Sequence, residues 1–384
     1  MKMSSRITKL PPYLFVELDK RVAEKRKDGV DIITFGVGDP DLPTPEHIIN
    51  TCCEAVRKPE NHRYPSYEGM LSFREAVAER YEKDRNLRID PEREVIALIG
   101  SKEGVHNINF ALLERGDVVL YPDPGYPVYR TGAVFAGGGA YAMPLKEENA
   151  FLPDFSAVPP EKAKKARLIW LNYPNNPTAS VAEKAFYREA IDFALENDLA
   201  ICSDEAYSKM AFDGYKVKSL LEVKGSREVG LVFNSLSKTY NMTGWRLGYA
   251  LGNTELVQAL GKVKTNVDSG VSQIIQEAGI AALRSSQECV IENLRIYGER
   301  REVLVNGLNR LGMPCKKPMA TFYVWLKVPG GDSMEFANML LEKAAVVCTP
   351  GIGFGEHGEG YARFALTQPV ARIREALDRM EKVL

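Results

Sequence analysis

Between about residues 90 and 250, short apolar runs alternate with amphipathic helical stretches, and this alternation restricts the fold more than any other feature of the chain. Glu94–Ile99 ends in Gly-Ser, Val118–Tyr121 is closed by Pro-Asp-Pro-Gly, Arg167–Leu171 stops at Asn-Tyr-Pro-Asn-Asn-Pro, and Leu199–Cys202 runs into Ser-Asp-Glu. Between them, stretches such as Glu183–Asn197 place Phe186, Ala190, Phe193 and Ala194 on one helical face. Near-continuous apolar strands separated by helices imply a mostly parallel sheet covered on both faces, an α/β fold. The two ends read differently. Tyr13–Lys27 is expected to be helical and to stop at Asp28-Gly29. Beyond residue 284 come a long charged helix, a strand at Thr321–Leu326, a helix at Ser333–Lys343, a strand at Tyr361–Leu366 and a closing helix from Ile373. These form an expected second, smaller α+β domain. The Gly-rich Ala136–Ala140 follows a helix rather than opening one, and reads as a plain turn.

Charge and cysteine usage narrow the partners. Lys plus Arg total 50 against 51 for Asp plus Glu over 384 residues, which disfavours a nucleic-acid or polybasic membrane surface. The six cysteines contain no C-x-x-C pair, and no two of the four histidines stand at a ligand spacing. Metal chemistry is therefore not expected, and the thiols read as reduced and buried. With no apolar secretory core in Met1–Leu10 and no run of 18 apolar residues, the chain is expected to be cytoplasmic, with small molecules or protein chains as partners.

In open α/β sheets, ligands bind at the carboxyl ends of the strands. The polar residues found there are Ser101 and Lys102, Gly125 and Tyr126, Asn175 and Asn176, Asp204 to Tyr207, and Ser235 to Lys238. This inventory holds neither a Ser–His–Asp set nor a GxxxxGK[ST] loop. It suits a phosphorylated cofactor whose chemistry runs through a lysine. In Ser235-Leu-Ser-Lys-Thr-Tyr-Asn-Met-Thr-Gly-Trp-Arg246, two serines precede the lysine and an arginine follows it. That arrangement suits a Schiff-base lysine beside a phosphate held by hydroxyls and a guanidinium.

This segment resembles the lysine motif of the pyridoxal-phosphate aminotransferases of fold type I, class I/II. The resemblance runs from Gly38-Asp-Pro-Asp-Leu-Pro-Thr-Pro45 to Tyr361-Ala-Arg-Phe-Ala-Leu-Thr367. It implies a large domain over residues 46–283 with a seven-stranded-type sheet, a small domain from residues 1–45 and 284–384, and a homodimer. The implied roles follow residue by residue. Lys238 would form the Schiff base and move the proton, and Asp204 would pair with the pyridine nitrogen of pyridoxal 5′-phosphate. Asn176 and Tyr207 would bond the cofactor's ring oxygen, and Tyr126 would stack on the ring. Ser101, Lys102, Ser235, Ser237 and Arg246 would form the phosphate cup, with Tyr64 reaching it from the other subunit. Arg363 would clamp the substrate α-carboxylate.

Finer motifs, among them Tyr64-Pro-Ser-Tyr-Glu-Gly69 and Ile99-Gly-Ser-Lys-Glu-Gly104, resemble the LL-diaminopimelate aminotransferase branch. It moves an amino group between LL-2,6-diaminopimelate and 2-oxoglutarate in lysine biosynthesis. Amino acids and 2-oxo acids would then be the substrates. Tyr13 and Gly38 would line the substrate pocket, with Lys102, Tyr126 and Asn176 shared between cofactor and substrate. Lys102 could meet the distal carboxylate, and Glu68 or Glu103 the distal ammonium. An alanine, aspartate or broad-range class I aminotransferase shares every cofactor motif and is the alternative. Ala179 departs from the family's usual glycine in the Asn-Pro-Thr turn.

Overall fold

The computed structural model describes residues 3–8 and 14–384. Its strands are β1 (Ile33–Thr34), β2 (Val95–Leu98), β3 (Val118–Asp123), β4 (Gly139–Pro144), β5 (Ala166–Asn172), β6 (Ala200–Asp204), β7 (Gly230–Ser235), β8 (Gly248–Gly252), β9 (Tyr323–Lys327), β10 (Val346–Val347), β11 (Thr349–Pro350) and β12 (Tyr361–Ala365). Seven of them form one sheet in the order β2-β8-β7-β6-β5-β3-β4. Only β8 runs antiparallel to its neighbours; the β3–β4, β3–β5, β5–β6 and β6–β7 pairs are parallel.

The apolar runs are continuous because both faces of this sheet are covered. On β5, Leu168 and Trp170 point into one buried cluster, where helices Ser101–Leu112, Val128–Ala136 and Thr254–Val267 contribute Ile108, Tyr129 and Leu260. Ile169 and Leu171 point into the other, packed by helices Leu71–Arg85, Lys184–Asn197 and Gln273–Arg284. Each fully buried Leu or Ile there contributes about 1.5–3 kcal/mol relative to leaving it in water. This period-two alternation lies hidden in a sequence that is apolar on every residue.

A third cluster joins the two ends of the chain. Ile33 and Phe35 pack with Leu304 and Leu308 of helix Glu288–Arg310, Val324 and Leu326 of β9, Val346, Phe364 and Leu377. Strand β1 pairs in parallel with β10, and β11-β12-β9 form a small antiparallel sheet that sets Arg363 opposite Trp325. Two details differ from the sequence reading. The Ser333–Lys343 helix is α-helical only to Met339 and closes with a π turn at Leu340–Ala344. Gly137 does end a helix (φ 90°), but Gly139 already begins strand β4, so the Gly-rich stretch is more than a turn. The N-terminal helix spans Leu14–Lys27, and Tyr13 lies outside the described residues. Among the described residues, no helix is long and apolar enough to cross a membrane.

Candidate active site

The carboxyl ends of β2, β5, β6 and β7 open into a cavity of about 550 Å³. One end is built to receive an anion. After β2 the chain turns at Gly100, whose φ of 72° is left-handed, and enters helix Ser101–Leu112. Free N–H groups and the helix dipole favour negative charge at such a start. A side chain on Gly100 would run into the Arg246 guanidinium, so the absent Cβ lets that cation lie over the helix start. Ser235 ends β7 and accepts from the Ser237 N–H at 3.2 Å, and both serines face the cavity. Arg246 is itself held in a left-handed conformation (φ 55°), its Nη1 donating to the Thr243 carbonyl at 2.8 Å.

The middle of the cavity carries an acid and an amine, both incompletely neutralised. Asp204 ends β6; its Oδ2 accepts from the Tyr129 hydroxyl at 2.9 Å and its Oδ1 from the Ala206 N–H at 3.3 Å. Burial raises its pKa to about 6, against the pull of those two donors. Lys238 donates to the Gly38 carbonyl at 2.8 Å, and burial lowers its pKa to about 8, with Arg363 and Arg246 pushing the same way and Asp39 opposing. Tyr207, its phenol pushed well above the ordinary range by burial, bonds the Tyr323 hydroxyl at 2.8 Å.

The far end presents a buried guanidinium. Arg363 on β12 is 5% exposed; its Nη1 donates to Asn176 Oδ1 at 2.7 Å and its Nη2 to the Gly36 carbonyl at 2.9 Å, while its Nε has no partner. A buried guanidinium with no carboxylate beside it is a site for an incoming one. Asn176 is placed by Asn172, whose Oδ1 accepts the Asn176 N–H at 2.9 Å and whose Nδ2 donates to the Asp204 carbonyl at 2.8 Å.

Ser101, Lys102, Tyr126, Asn176, Asp204, Tyr207, Ser235, Ser237, Lys238, Arg246, Gly38 and Arg363 therefore line one cavity. Lys102 sits 5.9 Å from the centre of the Tyr126 ring. Tyr64 is outside this cavity and 88% exposed on the chain. Glu103 is a correction to the sequence reading. It does not face the cavity but accepts from the Ile99 N–H at 3.0 Å, from Asn107 at 2.6 Å and from Lys264 at 3.2 Å. Glu68 lies outside the cavity on this chain as well. Ala179 does take the left-handed conformation, with φ 59°. Sequence reasoning missed Tyr129, Asn172 and Tyr323. The only signal for Tyr129 was its place one turn after Tyr126; it stacks on Trp170 at 4.9 Å and so aims its hydroxyl at Asp204.

A family model described as aminotransferase class I and II matches residues 30–380. The chain is 51% identical to the LL-diaminopimelate aminotransferase of Moorella thermoacetica, covering 100% of this chain and 99% of that one. It is equally 51% identical to the LL-diaminopimelate aminotransferase of Aquifex aeolicus, over 100% and 99%. A substrate-bound structure of BacF from Bacillus subtilis superposes with a TM-score of 0.95 at 39% identity, covering 100% of this chain and 98% of that one.

Proposed function

The chain belongs to the class I and II aminotransferases, and on that premise we propose that it moves an amino group between LL-2,6-diaminopimelate and 2-oxoglutarate. The observation that carries the chemistry is the meeting, in one cavity, of a depressed lysine, a buried acid and a carboxylate-seeking arginine. What supports the substrate is the full-length similarity to enzymes of that name.

Enzymes of this family use pyridoxal 5′-phosphate, and the unsatisfied groups of the cavity fit it end to end. Its phosphate suits the start of helix Ser101–Leu112 with Ser235, Ser237 and Arg246, and its ring nitrogen suits Asp204, whose raised pKa marks a carboxylate in want of a cation. When bound, the cofactor supplies the electron sink that lets the substrate α-carbon lose its proton. The remaining work is done by the chain's own residues. Lys238 is uncharged in a large fraction near pH 8, so its Nζ can take a proton from the α-carbon and return it. Arg363, which lines the cavity, holds the α-carboxylate, and this orients the scissile C–H bond. Asn176 and Tyr207 would hold the cofactor's ring oxygen, Tyr126 would pack on the ring, and Lys102, beside Tyr126, would meet the substrate's distal carboxylate. Gly38 completes the substrate wall, and Tyr13, outside the described residues, is assigned to it from the sequence resemblance alone.

We assign residues 46–283 to the cofactor-holding unit and residues 1–45 with 284–384 to the unit that brings Arg363. Tyr64, exposed here, is assigned to the phosphate cup of a second copy in a homodimer. We keep the cytoplasmic expectation; of the six cysteines only Cys202 and Cys348 are buried, against the reading of buried thiols, and Cys53 is exposed.

The test is single-turnover conversion of the bound cofactor to its amine form with LL-diaminopimelate, glutamate, alanine and aspartate offered separately. LL-diaminopimelate and glutamate are expected to react fast. Rapid reaction with alanine or aspartate and none with LL-diaminopimelate would replace this substrate with the broader class I reading.

A further inference from the structure

Tyr323 opens strand β9 at the wall of the cavity, 1% exposed, and its single ring borders three functional groups. Its hydroxyl is 2.8 Å from that of Tyr207. Its face lies beneath the Arg363 guanidinium, 4.3 Å from guanidinium carbon to ring centre. Its hydroxyl also occupies the space where a side chain on residue 38 would sit, and the Gly38 carbonyl is the acceptor for Lys238.

A phenol has one proton to donate. Were Tyr207 to spend its own on Tyr323, none would remain for the cavity; with Tyr323 as donor, Tyr207 keeps its proton for a ligand, and the chained bond polarises it further. A flat ring under a guanidinium favours the planar cation electrostatically and limits its tilt. We propose that Tyr323 is a positioning residue with two separable actions: its hydroxyl turns Tyr207 toward the cofactor's ring oxygen, and its ring levels Arg363 for the substrate carboxylate. The inference rests on the roles given above to Tyr207 and Arg363.

The two actions come apart in two variants of the cofactor-loaded enzyme, with Tyr207→Phe as reference. A hydrogen bond from Tyr207 stabilises the anionic ring oxygen and so lowers the pKa of the nitrogen joining Lys238 to the cofactor. That pKa is read as the midpoint of the visible band in a pH titration. Tyr323→Phe keeps the ring and loses the hydroxyl; its midpoint is expected to rise by roughly 0.5–1 pH unit with KM for the amino acid nearly unchanged. Tyr323→Leu is expected to show the same rise and, in addition, a KM about tenfold higher. If Tyr207→Phe moves the midpoint and Tyr323→Phe does not, the proposal is overturned while the role of Tyr207 stands. If neither moves it, both fall. A KM that rises equally in the Phe and Leu variants overturns the action through Arg363. Should the Leu variant fail to fold, as judged by its thermal midpoint, the Phe variant alone still decides the hydroxyl's part.

Discussion

Lys264 and Lys238 have opposite surroundings. Lys264, on helix Thr254–Val267, is 0% exposed and ringed by carboxylate: Asp268 at 2.8 and 2.9 Å and Glu103 at 3.2 Å. Lys238 has one hydrogen-bond acceptor, the neutral Gly38 carbonyl; the Asp39 carboxylate attracts it without bonding it, and two arginines are near enough to repel it. Both leave water, but only Lys264 recovers in ion pairs what it loses in hydration. The first site ties helix Ser101–Leu112 to helix Thr254–Val267. At the second, compensation is withheld and the amine remains ready to give up its proton. A buried charge with full partners is architecture, and one with partial partners is chemistry awaiting a ligand.

Replacing each lysine should separate the two cleanly. Lys238→Ala is expected to lower turnover between about 100- and 10,000-fold, in steady-state assays, without loss of stability. A Lys238→Ala chain that unfolds more easily than its parent would break the contrast. Lys264→Met should do the reverse, costing about 3–5 kcal/mol in urea unfolding because two carboxylates lose their cation, with turnover per folded molecule little changed.

Asp204 sharpens the same distinction on the acidic side. Its ordinary value is 3.8, and burial raises it to about 6 in the folded chain. Below the ordinary value both states are protonated and the group has no effect. As pH rises to about 6 and beyond, folding must bury an ionised carboxylate, so Asp204 subtracts from the stability of the cofactor-free chain. Asp204→Asn is therefore expected to stabilise that chain by about 2–3 kcal/mol at pH 8 and by almost nothing at pH 4, as measured by denaturant unfolding at both values. Glu205, the next residue, faces the other way and is met by Ser203, Ser219 and the Leu220 N–H. The smallest effect is expected at Ala179, whose left-handed backbone lies in the turn that carries Asn176. Ala179→Gly should raise the unfolding free energy by about 1 kcal/mol or less, since glycine relieves the Cβ clash but orders at greater entropic cost.

Much of the cavity was legible from sequence because its residues follow the strands that alternate apolar runs announce. Asp204 and Ser235 end β6 and β7, and Asn176 lies in the turn that follows β5, where a reader of open sheets would look. Strand β8 was not legible: Gly-Tyr-Ala-Leu-Gly is short, bounded by glycines, and carries no sign of its reversed direction. The two-residue strands β1 and β10 exist only through each other, so neither has a local signature. Glu103 was misread for a related reason. A glutamate in the first turn after a ligand-binding loop looks like a pocket residue, and only the fold discloses that Lys264 draws it to the far side of the helix. Tyr323 was invisible because a tyrosine in an alternating strand looks like packing until the hydroxyl it meets is known.

The Arg363 side chain donates to the carbonyl of Gly36, a residue 327 positions earlier in the chain. Thr349 reaches the same carbonyl across 313 positions. A protein made from its amino end folds units as they emerge. During synthesis, then, the sheet and its phosphate cup can assemble while the carboxylate clamp is still untranslated. Residues 33–36 must wait for nearly the whole message to be read before they find their partners. The residues that line the strand ends are thus made well before the arginine that closes the far end of the cavity.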